Sequence, residues 1–170
     1  MAVTTQKSTE YTNQTATPPE FVQPTEMAGR VRIMYFTHDQ SGAGDATSSV
    51  ALGKIPGGRV RLLLSMSKAY VNWTTGSATL DLGWDAYEAV DGTTTAADPD
   101  GLVDGLNVDT AGYFDFGEDT TATGGTYVIE SKAGVVIRAT SQDVALAAGS
   151  DLVGYLSLIH ISEPTRHNAI

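Results

Sequence analysis

From Gly29 onward, apolar and polar positions alternate with the period of two that a half-buried strand requires. Arg30-Val-Arg-Ile-Met-Tyr-Phe sets the pattern. Ser49-Val-Ala-Leu-Gly-Lys-Ile reads as a short strand that stops at Pro56-Gly57-Gly58, a strong turn signal. Arg59-Val-Arg-Leu-Leu-Leu-Ser-Met-Ser begins with alternation and becomes continuously apolar, as a central strand does. Ala69 to Trp73 continues it or follows a bend. In Ser77-Ala-Thr-Leu-Asp-Leu-Gly-Trp, Ala78, Leu80 and Leu82 share one face. Asp91 to Gly112 is rich in Asp, Gly and Thr and reads as a long loop, with one helical turn conceivable at Leu102 to Asn107. Thr126 to Glu130, Val135 to Thr140 and Asp143 to Ala147 read as three more strands, and Leu152 to Tyr155 begins a last one. No helix-length window has the 3.6-residue spacing. The pattern predicts an all-β fold: a single antiparallel β-sandwich of jelly-roll type over residues 28–155, with strand order left open.

The two ends of the chain differ from this. Residues 1–27 are rich in Thr, Gln, Ser, Asn and Pro, including Pro18, Pro19 and Pro24. Too few apolar side chains are present to offset the entropy of ordering, so the segment is read as an extended polar arm that either stays disordered or orders on a neighbouring subunit. At the other end, Leu156 to Arg166 reads Leu-Ser-Leu-Ile-His-Ile-Ser-Glu-Pro-Thr-Arg. This resembles the in-frame translation of a sequencing-library adapter. Residues 156–170 are accordingly expected to be adapter read-through, a non-native tail that packs poorly or extends a strand by chance. On that reading the natural ending is missing, and His160 and His167 carry no biological meaning.

Composition narrows the function classes. There is no cysteine, so disulfides and thiolate metal sites are excluded. No apolar run reaches membrane-helix length and no secretory leader is visible, so no membrane partner is expected. Ten Lys+Arg stand against 20 Asp+Glu, a balance opposed to binding nucleic acid through its phosphates. The charge is uneven as well. No Lys or Arg occurs between Ala69 and Ser131, while Arg30, Arg32, Arg59 and Arg61 precede that span. The acidic stretch is either a solvated loop face or a surface that meets a basic patch on a partner.

No catalytic site can be assembled. His38 neighbours Asp39, but adjacent strand residues point to opposite faces. Nucleophile elbows and phosphate-binding loops are absent. Calcium is the one cofactor worth weighing: Asp98, Asp100, Asp104 and Asp109 lie close in sequence, although their spacing misses the EF-hand pattern and also fits Asp/Gly turn chemistry. Tyr70, Trp73, Trp84, Tyr87, Tyr113 and Phe114 offer either a sugar-binding platform or core and interface packing.

Several strings carry a family resemblance. Gly29-Arg-Val-Arg-Ile-Met-Tyr-Phe, Ser41-Gly-Ala-Gly-Asp-Ala-Thr, Pro56-Gly-Gly-Arg-Val-Arg, Ala78-Thr-Leu-Asp-Leu-Gly-Trp-Asp-Ala-Tyr, Ala97-Asp-Pro-Asp-Gly-Leu and Ile137-Arg-Ala-Thr-Ser-Gln-Asp-Val-Ala resemble small virion-associated proteins of marine tailed phages. The resemblance implies a non-enzymatic structural protein, of the capsid decoration (cement) type, forming a homotrimer on the major capsid protein at the virion surface. On this reading Arg30, Arg32, Arg59 and Arg61 of the basic N-terminal half, with Trp73 and Trp84, are the expected partner-interface residues. The alternative expectation is a glycan-binding module of a phage tail or head fibre.

Overall fold

A computed structural model describes Thr17 and residues 30–73, 75–121 and 123–161. The arm over residues 1–27, Thr17 apart, and the last residues, 162–170, lie outside the described residues.

Two antiparallel sheets face each other. Strands β1 (Val31–Asp39), β2 (Ser49–Ile55), β3 (Gly58–Val71), β4 (Thr79–Trp84), β7 (Asp98–Asn107), β8 (Gly112–Asp115), β9 (Thr126–Ser131), β10 (Val135–Ser141) and β11 (Asp151–Ile161) build them. The five-stranded sheet runs β1-β11-β3-β8, and β9 also pairs with β3. Strand β3 accommodates both because it is long: its first half, Gly58 to Leu63, takes β9 and its second, Lys68 to Val71, takes β8. The four-stranded sheet runs β2-β10-β4-β7. Two short strands, β5 (Tyr87–Glu88) and β6 (Thr94–Thr95), make a separate hairpin. The only helical element among the described residues is a 3-10 turn at Thr123–Gly125. This is the expected jelly-roll-like β-sandwich.

The core lies between the sheets. Val60, Leu62 and Leu64 on β3 meet Leu80 and Leu82 on β4 and Ile137 on β10, all fully buried. Complete burial of each such side chain contributes roughly 1.5–3 kcal/mol. Trp84 on β4 crosses the sandwich to stack on Tyr127 of β9, ring centroids 5.0 Å apart. Gly101 makes room for that indole, since a Cβ there would collide with its six-membered ring.

Two segments differ from the pattern-based reading, and a third follows one of the two courses expected of it by extending a strand. The stretch read as a long loop, Asp91 to Gly112, contains β6 and the ten-residue β7, and Leu102 to Asn107 is strand. Strand β7 escapes detection because its pairing with β4 slips twice, between Leu80 and Leu82 and again between Leu82 and Trp84. Each slip shifts which residues face inward, and the alternation disappears. Conversely, Asp143 to Ala147 is no strand: Leu146 alone makes an isolated bridge, to Gly44. Finally, β11 runs through Tyr155 to Ile161 and lies between β1 and β3, with Leu156, Leu158 and Ile161 buried. The pairing with β3 slips between Tyr155 and Ser157, and the Ser67 hydroxyl spans the irregularity. It donates to Leu63 O (2.7 Å) and accepts from the Ser157 N–H (2.9 Å).

Candidate functional site

The outer face of the five-stranded sheet carries the unusual surface. Among the described residues the exposed large apolar side chains are Val31, Ile33, Tyr35, Met66, Val90 and Tyr113, and all but Val90 belong to that sheet. Val31, Ile33 and Tyr35 alternate along β1 with Phe36 and Met34 turned inward, so the edge strand shows an apolar stripe to solvent. Ile33 is 63% exposed and Tyr35 66%. Contiguous apolar surface of this kind marks interaction sites, and an unprotected edge strand invites pairing.

A groove of about 480 Å³ crosses this face over four strands. Two neighbouring rungs of the sheet build it. One rung aligns Thr37, Val153, Tyr70 and Tyr113; the other aligns Tyr35, Tyr155, Lys68 and Asp115. Residues paired across strands share a face, which brings four tyrosines from β1, β3, β8 and β11 together. Tyr70 and Tyr113 are in ring contact, 5.3 Å between centroids at 59°, and Tyr113 is 85% exposed. Asp151 closes one side of the groove, and Lys68 lies 3.4 Å from Asp115. All residues lining the groove precede Leu156.

The candidate site residues separate under the fold. Arg30 and Arg32 sit at the start of β1, exposed; Arg59 and Arg61 sit on β3, and Arg59 Nε is 2.8 Å from Glu130 on β9. All four arginines therefore belong to the five-stranded sheet or its entry. Trp73 and Trp84 are 1% and 6% exposed and are core residues, which removes them from the surface of the folded chain. Of the six candidate platform aromatics, Tyr70 and Tyr113 come together in the groove and Phe114 packs against the core. Tyr35 and Tyr155 complete the groove; their signal in the sequence was their place on the outward period of two strands that turn out to be neighbours. His38 Nε2 is 3.1 Å from Gln40 Oε1.

Three of the four candidate calcium ligands lie on the other sheet. Asp98, Asp100 and Asp104 lie on β7, and Asp109 follows it. Among the described residues no three His, Cys, Asp or Glu side chains are placed to hold a metal ion. Asp98 instead hydrogen-bonds Asp100, and this contact, with burial behind it, raises the Asp98 pKa. Asp81 on β4 is buried, and its Oδ1 accepts the Gly105 N–H at 2.8 Å, where β7 departs from regular pairing and Gly105 has φ +75°. Burial raises the Asp81 pKa; the Gly105 bond opposes this, and Asp104, Asp100 and Asp143 reinforce it. Asp85 differs: a two-point bond from Arg138 (Nε to Oδ1 and Nη2 to Oδ2, both 2.8 Å) holds its carboxyl below the usual range. Charges of both signs thus occur on both sheets: Arg138 on β10 faces Asp85, and Arg59 and Lys68 on β3 face Glu130 and Asp115.

This chain is similar in fold to a solved phage structure. A chain of the capsid of Ralstonia phage GP4 has a TM-score of 0.59 with this chain. The likeness covers 80% of this chain and 88% of that one, at 19% identity. The sandwich has the fold of a phage capsid chain. The structure of infectious bursal disease virus Gx strain gives a TM-score of 0.44 at 12% identity, covering 80% of this chain and 33% of that one. No family model matches the sequence, and no curated protein matches it. At these identities the likeness establishes the fold.

Proposed function

We propose that this chain is a non-enzymatic structural protein of a phage virion, and within that class a decoration (cement) protein that binds the outside of a tailed-phage head as a homotrimer. The observation that carries the reading is the likeness to a chain of the GP4 capsid, which extends over most of both chains. The surface agrees with it. The five-stranded sheet shows solvent an apolar face that also bears Arg59 and Arg61. In this reading the five-stranded sheet faces the major capsid protein or a neighbouring subunit, and residues 1–27 extend the contact along that neighbour.

The test is binding to expanded heads of the parent phage. Deleting residues 1–27 is expected to weaken binding by about tenfold or more while leaving the β-sheet circular dichroism unchanged, since each ordered side chain in a docked arm adds to the interface. Equal binding by the deletion variant and the full chain would refute the clamp. A glycan-binding fibre module is the second reading. The burial of Trp73 and Trp84 leaves it the tyrosine groove as its only aromatic platform among the described residues.

A further inference from the structure

The tyrosine groove has a matching ligand within the same sequence. We infer that residues 18–24 of a neighbouring copy, Pro-Pro-Glu-Phe-Val-Gln-Pro, occupy the groove formed by Tyr35, Tyr70, Tyr113 and Tyr155. The inference deepens the proposed role of the arm and rests on it, because it names where the arm docks.

Three observations support this occupant. The first is chemical fit. Proline-rich segments are pre-set toward the polyproline II helix and dock in grooves lined with aromatic rings, at low entropic cost. The groove presents four tyrosines over about 480 Å³, and the segment holds Pro18, Pro19 and Pro24 around Phe21.

The second observation is charge. Residues 1–27 hold Lys7 against Glu10, Glu20 and Glu26. The sheet face that receives them bears Arg59, Arg61 and Lys68 together with Asp115, Glu130 and Asp151, and Arg59 lies 2.8 Å from Glu130. Glu20, directly after the two prolines, is the only charge within residues 18–24. Lys68, the cation lining the groove, lies 3.4 Å from Asp115 and would be shared with Glu20.

The third is position. The segment joins the sandwich at Arg30, and the groove begins on the same strand at Tyr35. Five residues separate Arg30 from Pro24, a span of about 20 Å fully extended. Five steps along β1 from Arg30 to Tyr35 cover about 17 Å. Within one copy the segment would have to reverse at once and run straight back over β1. Between copies it runs on without a reversal, and the exchange buries the exposed stripe of β1 in the same contact.

The absence of cysteine makes a direct test available. A full chain carrying Glu20→Cys is mixed with a full chain carrying Thr37→Cys, on the groove, and oxidised gently with a glutathione buffer. Thr37 is exposed, so the variant keeps the core. The expected result is a covalent dimer on a non-reducing gel. Adding Tyr113→Ala to the acceptor chain should lower its yield about tenfold, as loss of one aromatic anchor does. Ala51→Cys, exposed on the other sheet, should give no dimer. The inference is overturned if Thr37→Cys traps no more dimer than Ala51→Cys. It is equally overturned if only a chain with both cysteines closes, within itself, because the donor is then not a neighbour. A soluble oligosaccharide that quenches the groove tyrosines in a chain that forms no cross-link would assign the groove to sugar and also overturn it. If the cross-link fails while arm deletion still weakens head binding, this docking site is wrong and the decoration reading stands.

Discussion

Asp81 shows how one side chain can shape the edge of a sheet at an electrostatic cost. Its carboxylate accepts the Gly105 N–H and holds β7 against β4 where their pairing slips. Burial disfavours the charged form, and three neighbouring carboxylates add to the effect. The folded-state pKa is raised above the unfolded value, so the stability this group contributes is complete below the unfolded pKa. It is lost as pH rises through the folded pKa. Asp81→Asn keeps an acceptor for Gly105 without the charge. Thermal unfolding at pH 7 should therefore occur roughly 2–4 °C higher in the variant, the response of a domain this size to about 1 kcal/mol. The gain should vanish toward pH 3. A variant that melts lower at both pH values would show that the ionised carboxylate is required. At this scale the sequence was half legible. Asp81 stood visibly on the polar side of an alternating strand, but its burial follows from β7, which the pattern did not show. Trp73 and Trp84 behave similarly: their size and strand positions fit core or surface equally, and only the second sheet decides in favour of the core.

Among the elements, regular strands were legible and irregular ones were not. Strand β1 was recognisable because charged and apolar residues alternate from Arg30 to Ile33 and it pairs with β11 without a slip. Strand β7 was hidden by two register slips and by Asp-Pro-Asp-Gly at its start, which mimics a turn. Strand β11 raises a further point. It is the second strand of its sheet, and Leu156, Leu158 and Ile161 within the adapter-like segment fill core positions. Leu-Ser-Leu-Ile-His-Ile alternates closely enough to serve as a strand. If the segment is adapter-derived, the natural ending must satisfy the same sites between β1 and β3. Long-read sequencing of the source gene is expected to give a different continuation after Tyr155, with apolar residues at positions 156 and 158. An unchanged continuation would refute the adapter reading. A new one that is polar at both positions would instead limit the β1–β11 pairing to Tyr35 through Asp39.

On the scale of the molecule, the sandwich, its exposed sheet face and its arm form one argument. The closed core explains independent rigidity, and the apolar stripe on β1 with the tyrosine groove explains why the surface is not inert. The β-sandwich could be read from the sequence because strand periodicity is local. The groove could not, because its four tyrosines come from four strands joined only by sheet order. The decoration reading makes a claim about place, and place can be observed. Electron cryomicroscopy of expanded heads of the parent phage, incubated with the full-length protein, tests it most directly. The account predicts sandwich-shaped density in threefold clusters on the outer surface of the head, with the five-stranded sheet turned toward the shell or the neighbouring subunit. Bare heads at saturating protein, or density confined to the tail, would contradict it.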